Sequence, residues 1–154
     1  SSQRKTNQSG LKNPELKDIK IGDYGATWNL DKDGQAWIIQ PDSVTEVGCI
    51  HTCQGLEVDY VGVIVGPDFI VRNGKIITVP EARASTDRSI YGWREMMNVD
   101  SDGTLKRLDA IIKNTYRTLM TRGSKGCYVY FVDKETQEYF QSKIEGSKTA
   151  RAEL

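Results

Sequence analysis

Two short apolar runs restrict this chain to a layered α/β fold. They span Tyr60 to Val65 and Cys127 to Val132, and both are rich in β-branched and aromatic residues. Continuous runs of this kind are typical of parallel strands buried on both faces. Between them a stripe at helical spacing predicts a helix from Thr104 that ends before Gly123. The stripe consists of Leu105, Leu108, Ile112, Tyr116 and Leu119.

Other segments complete a mainly parallel sheet flanked by helices. Asn73-Gly74 predicts a β-hairpin between residues 69–72 and 75–79, which we expect to project as an insertion. Further strands are predicted at 36–39 and 44–50, and a helix at 134–144 with Tyr139, Phe140 and Ile144 facing inward. The stretch from Pro80 to Gly103 has the composition of a long irregular loop.

Composition excludes several classes of protein. Of 154 residues, 38% are hydrophobic and 27% charged, which indicates a globular chain with a polar, partly flexible lead-in at 1–27 and a tail at 146–154. The 21 basic residues balance the 21 acidic ones, which argues against a wholly basic nucleic-acid module. Three cysteines do not suit a disulfide scaffold, and no apolar run is long enough for a membrane span. We therefore expect a cytoplasmic protein.

Polar residues interrupt the segment from Cys49 to Glu57. His51, Thr52 and Gln54 lie between two predicted strands, where the carboxyl ends of strands form ligand sites in open α/β sheets. The alternative is a simple turn in which Gly55 adopts an unusual backbone angle. A zinc site at Cys49, His51 and Cys53 is disfavoured because the chain has a single histidine and no Cys-x-x-Cys pair, so no metal is predicted.

Arg122 follows the predicted helix and precedes a buried strand. From such a rigid position a guanidinium can reach a phosphate, to which it binds bidentately. The alternative is that Arg122 only offsets the helix dipole, as many arginines do at helix C-termini.

Together, the two segments resemble two helicase motifs. Residues 48–66 resemble motif V of superfamily 1 helicases, with a His followed by Gln-Gly-Leu-Glu and a strand. Residues 119–125 resemble motif VI, with Leu-x-Thr-Arg and a small residue. The wording His-Thr-x-Gln-Gly-Leu-Glu and Asn-x-Tyr-Arg-x-Leu-x-Thr-Arg-Gly is most similar to the bacterial Schlafen-type DNA/RNA helicase-domain family, a family of otherwise unknown function.

The resemblance implies a second RecA-like domain of the P-loop NTPase type at 28–145, carrying motifs V and VI. It implies that Arg122 is the arginine finger, that Glu57 approaches the ribose, and that Gln54 and Gly55 shape the turn beside the phosphates. Arg117 would assist at the phosphates. The resemblance also places two residues towards the nucleic-acid backbone, His51 and Thr52.

The chain departs from a complete helicase in one major respect. It contains no Gly-x-x-x-x-Gly-Lys-Ser/Thr and no Asp-Glu pair at a strand end. We therefore expect a C-terminal fragment that is not itself an enzyme, belonging to an ATP-dependent helicase or translocase. ATP and Mg²⁺ would be bound mainly by an N-terminal RecA-like domain of the same polypeptide, and DNA or RNA would be a partner. Two alternatives remain: a RecA-like binding module without ATPase activity, and a small hydrolase built around His51 and a cysteine.

Overall fold

In the computed structural model the chain divides into two compact units, residues 1–56 and 57–154. The structure describes residues 17, 19–28, 41, 43–48, 53, 55, 57–83 and 88–152. The strand predicted at 36–39 lies outside these residues. Among the described residues, the first strand begins at Ile19, within the segment that we expected to be a polar lead-in.

The described residues of the first unit form three short strands. β1 (Ile19–Ile21) and β2 (Tyr24–Trp28) form an antiparallel hairpin, and β3 (Glu46–Val47) pairs with β2 in parallel. The turn between β1 and β2 contains Gly22, whose φ of 56° lies in the left-handed region that glycine tolerates best. The strand predicted at 44–50 is thus shorter among the described residues, because a 3₁₀ turn occupies Ser43–Thr45.

The second unit is built on the predicted parallel strand pair. β4 (Val58–Val65) and β7 (Gly123–Phe131) run parallel, with Val61 opposite Cys127 and Val65 opposite Phe131. α2 (Ser101–Met120) packs on one face of this pair. The prediction of two parallel strands with a helix on one face is confirmed. The core between them consists of Val63, Val65, Phe69, Ile112, Tyr116 and Phe131.

The prediction of a loop at 80–103 is wrong for the second half of this segment. α1 (Trp93–Val99) occupies it, and α2 begins three residues before Thr104, at Ser101. Oδ1 of Asp100 accepts a 2.9 Å hydrogen bond from the Gly103 N–H and so caps α2. The glycines and aspartates of this stretch suggested a loop, but two of them serve as helix caps. One member of the predicted buried stripe, Leu105, is exposed.

The predicted hairpin is present. β5 (Phe69–Arg72) and β6 (Lys75–Thr78) are antiparallel, and the turn residues Asn73 and Gly74 have φ of 51° and 71°, as a two-residue hairpin turn requires. However, the hairpin does not project as an insertion. Val71 in β5 is buried, and its N–H donates a 2.8 Å hydrogen bond to Oγ1 of Thr136.

The last helix is longer than predicted. α3 (Lys134–Ala152) continues through most of the segment that we expected to be a tail. Phe140 stacks on Phe131 at 5.0 Å between ring centroids, as its inward position predicts. Ile144 is exposed, so this part of the prediction is wrong. The described residues thus form an α/β arrangement of small sheets and helices.

Candidate functional site

The structure brings Glu57 and Arg122 to adjacent positions at one end of the sheet. Val58 lies opposite Gly123 in the parallel register, and the Val58 N–H donates a 3.1 Å hydrogen bond to the carbonyl oxygen of Arg122. Glu57 therefore comes directly before β4, and Arg122 directly before β7. They lie at the amino ends of β4 and β7, not at the carboxyl edge that the sequence suggested for this segment.

The connection that carries Arg122 is short and tightly held. α2 ends at Met120, and the Arg122 N–H donates a 3.2 Å hydrogen bond to the carbonyl of Leu119. Gly123 then starts β7 with no room for a side chain, because a Cβ there would collide with the carbonyl of Gly126 and approach the Val61 nitrogen to 3.1 Å. The backbone of Arg122 is thus fixed by the helix on one side and by a glycine-only position on the other.

Three of the predicted site residues have charged side chains without a partner among the described residues. Arg122 is half-buried, and its guanidinium makes no hydrogen bond or ion pair within the part of the chain that the structure describes. The same holds for the exposed Glu57 and for Arg117 on the exposed side of α2. A guanidinium held by its backbone but free at its tip can bind an anion. Among the described residues, no side-chain hydrogen bond or ion pair joins Arg117 to Arg122 or Glu57.

Gly55 has an unusual backbone angle, as expected for a turn between the two predicted strands. Its φ is 82°, in the left-handed region, and an added Cβ would meet nothing within 4 Å. The requirement for glycine here therefore comes from the backbone conformation and not from crowding. The other predicted residues of this segment, His51, Thr52 and Gln54, lie outside the described residues.

Comparison with known proteins assigns the family. A family model described as "Schlafen group 3, DNA/RNA helicase domain" matches residues 1–133. The chain belongs to this family. It is also 35% identical over 125 residues to the uncharacterized protein YPL245W of Saccharomyces cerevisiae, an alignment that covers 78% of this chain. The chain spans only 26% of the length of that yeast relative. No solved structure matches this chain.

This Schlafen group 3 domain also contains a buried polar cluster that the sequence did not predict. The hydroxyl of Tyr116 accepts a 3.0 Å hydrogen bond from the Gly66 N–H and donates one of 2.5 Å to Oδ1 of Asp68. Burial, together with the Asp68 carboxylate, raises the pKa of Tyr116 far above its usual value. Arg83 lies 3.7 Å from the other carboxylate oxygen of Asp68. The cluster attaches α2 to the end of β4.

A sequence signal for this cluster existed. A tyrosine on the apolar stripe of a helix must find a partner for its hydroxyl when it is buried. The turn after β4 supplies an aspartate at its third residue, in Gly66-Pro67-Asp68. Nothing in the sequence pairs the two, because they belong to elements far apart in the chain.

The described residues give little support to a zinc site or to a hydrolase built around a cysteine. Burial raises the pKa of the Cys127 thiol, so it is a poor nucleophile. The described part of the chain contains no group of three or more His, Cys, Asp or Glu side chains that could hold a metal ion. Cys49 and His51 lie outside that part. Likewise, none of the described helices is long and apolar enough to cross a membrane.

Proposed function

We propose that this Schlafen group 3 domain is the C-terminal RecA-like part of an ATP-dependent nucleic-acid helicase or translocase. One observation carries the proposal. The two segments that resemble motifs V and VI meet at the amino ends of β4 and β7, where the Val58 N–H binds the Arg122 carbonyl at 3.1 Å. Two motifs that are far apart in sequence but adjacent in the fold can contact the same ligand.

The chain's own side chains fit a nucleotide phosphate at this position. Arg122 would act as the arginine finger, because its guanidinium is always charged, unpaired within the described residues and fixed at its backbone. Glu57 would bind the ribose, Gln54 and Gly55 would shape the turn beside the phosphates, and Arg117 would add positive charge. ATP with Mg²⁺ would supply the transferred phosphoryl group, held mainly by an N-terminal RecA-like domain of the same polypeptide.

The nucleic acid would be contacted by other residues of motif V. His51 and Thr52 are the residues proposed for its backbone, and DNA and RNA are both compatible with phosphate-directed contact. We propose a cytoplasmic location, where both nucleic acid and ATP are accessible.

A second function is favoured by a specific feature of the sequence. The 154 residues contain no phosphate-binding loop of the Gly-x-x-x-x-Gly-Lys-Ser/Thr type. If the full-length polypeptide also lacks one, the domain is a RecA-like binding module without ATPase activity.

One experiment separates the two functions. The reading frame upstream of Ser1 is translated and searched for the loop, and the full-length protein is purified and assayed for ATP hydrolysis with and without single-stranded DNA and RNA. We expect the loop, and turnover that nucleic acid stimulates, whereas residues 1–154 alone should hydrolyse none. A full-length protein with neither loop nor turnover would establish the binding module.

A further inference from the structure

The face of the β4–β7 pair that points away from α2 is rich in exposed tyrosine. Tyr60, Tyr128 and Tyr130 are 57%, 72% and 45% exposed. In the register of the two strands Gly62 lies opposite Tyr128 and Ile64 opposite Tyr130, so these residues share one face. We call this set of five residues the tyrosine face. It carries no charged side chain.

An uncovered face is unusual for a pair of parallel strands. Parallel strands occur almost entirely with both faces covered, and a contiguous exposed apolar patch marks an interaction surface. The tyrosines are not scattered singly, since the rings of Tyr60 and Tyr128 lie 6.2 Å apart between centroids. The tyrosine face therefore has the character of an interface.

The chemistry of the face favours protein over nucleic acid. Nucleic-acid binding needs cations that neutralise phosphates. Lys125 is the one Lys or Arg within β4 and β7, and it already forms a 2.7 Å ion pair with Asp59. A strand cannot add to the face of a sheet, because the backbone groups there point along the sheet. Helices are the elements that normally cover the faces of parallel sheets, through an apolar stripe.

We propose that the tyrosine face is covered by an amphipathic helix of the same polypeptide from outside residues 1–154. The yeast relative indicates how much polypeptide such proteins can contain, since this chain spans 26% of its length. The proposal rests on the proposed function in one respect only, that the polypeptide continues beyond these residues. It does not depend on ATP hydrolysis or on Arg122.

Nitration of tyrosine tests the proposal directly. The 154-residue chain and the full-length protein are treated with tetranitromethane, and modified residues are located by peptide mass spectrometry. Tyr60, Tyr128 and Tyr130 should react in the shorter chain and be protected in the full-length protein. Tyr91, which is 86% exposed, should react in both, and the buried Tyr116 in neither.

A matched pair of substitutions in the full-length protein gives a second measurement, which does not require the shorter chain to fold. Tyr128→Lys should lower the melting temperature by several degrees, because a charge would be buried under the helix. Tyr91→Lys should leave the melting temperature unchanged.

Four outcomes of the nitration experiment would overturn the proposal. They are reactive Tyr60, Tyr128 and Tyr130 in the full-length protein, protection already complete in residues 1–154, protection that appears only when the protein dimerises, and protection that requires added nucleic acid. A reading frame without further polypeptide would do the same. A full-length protein that hydrolyses no ATP could still show this nitration pattern, so failure of the proposed function is distinguishable from failure of this proposal.

Discussion

The hydroxyl of Tyr116 donates a 2.5 Å hydrogen bond to Oδ1 of Asp68, and this contact joins the helix that leads to Arg122 to the carboxyl end of β4. At the amino end of the same strand, the Val58 N–H binds the Arg122 carbonyl. β4 is therefore attached at its carboxyl end to α2 and at its amino end to the segment that resembles motif VI. The position of Arg122 relative to Glu57 is determined by these two attachments.

Tyr116→Phe should destabilise the domain while leaving its packing intact. The ring would remain edge-on to Phe69, but the Asp68 carboxylate and the Gly66 N–H would lose a buried partner, which costs about 1–3 kcal/mol. Urea unfolding followed by circular dichroism measures the change. Tyr91→Phe, at an exposed position, is the matched control and should have no effect. Equal stability of the two variants would show that the hydroxyl contributes nothing.

The elements that the sequence predicted well are those with a local signal. Asn73-Gly74 determines a hairpin turn by its own backbone preferences, and the strands of the β4–β7 pair are continuous apolar runs. α1 was missed because the helix-forming run Trp93 to Val99 is short and lies among loop-like residues. The exposure of Ile144 could not be predicted, since it depends on where the core ends along α3.

The sequence suggests candidate residues for the site but not their arrangement. The motifs suggested Glu57 and Arg122, yet only the parallel register places them at adjacent strand ends. His51, Thr52 and Gln54 lie outside the described residues. The roles of all the predicted site residues stay predictions. The cluster around Tyr116 depends on a contact between distant elements, which no local pattern encodes.

Gly123→Ala should disturb the connection that carries Arg122. The new Cβ would collide with the carbonyl of Gly126, and relieving this overlap should cost about 1–3 kcal/mol. Gly62→Ala in β4 is the control, because a Cβ there meets nothing within 4 Å in residues 1–154. Thermal melts of both variants in the 154-residue chain provide the comparison. A Gly123→Ala variant as stable as Gly62→Ala would contradict the crowding seen at this turn.

Asp133 should make stability depend on acid pH. Its bidentate pairing with Arg72, at 2.6 and 2.8 Å, and its hydrogen bonds from Thr136 lower the pKa of Asp133 well below its usual range. Because the folded-state pKa is depressed, the stabilisation is present above the unfolded value of about 3.9 and is lost as pH falls towards the folded value.

Comparison with Asp133→Asn isolates this effect. Asparagine can still accept the hydrogen bond from the Thr136 N–H at the start of α3, but it cannot form the ion pair. Wild type should therefore be more stable at neutral pH, and the difference should shrink below about pH 4. Urea unfolding across this range measures it. A difference that grows as the pH is lowered would show that the ion pair is not its source.

Contact with nucleic acid should depend strongly on salt and little on sequence. His51→Ala combined with Thr52→Ala should weaken binding of single-stranded oligonucleotides to the full-length protein by a similar factor for every sequence. Fluorescence anisotropy at several salt concentrations gives the affinities, with Ser142→Ala on α3 as the control. Binding that does not change with salt would exclude phosphate-directed contact.

The role of Arg122 predicts a specific pattern of variants. Arg122→Ala should reduce ATP turnover of the full-length protein by about 10³- to 10⁵-fold, as loss of an arginine finger does. Arg122→Lys should be badly impaired too, since lysine keeps the charge but lacks the planar fork. The affinity for ATP should change far less than turnover, because the finger acts mainly on the transition state. Arg94→Ala, on α1, is the control.

The most direct test of the account is the steady-state ATPase rate of the full-length protein with Arg122→Ala, measured beside its melting temperature. We predict a loss of turnover equivalent to roughly 4–7 kcal/mol of transition-state stabilisation, with folding nearly unchanged. If Arg122 only offsets the dipole of α2, the variant would instead lose about 0.3–1 kcal/mol of stability. Near-wild-type turnover with this small loss of stability would contradict the assignment of Arg122 as the arginine finger.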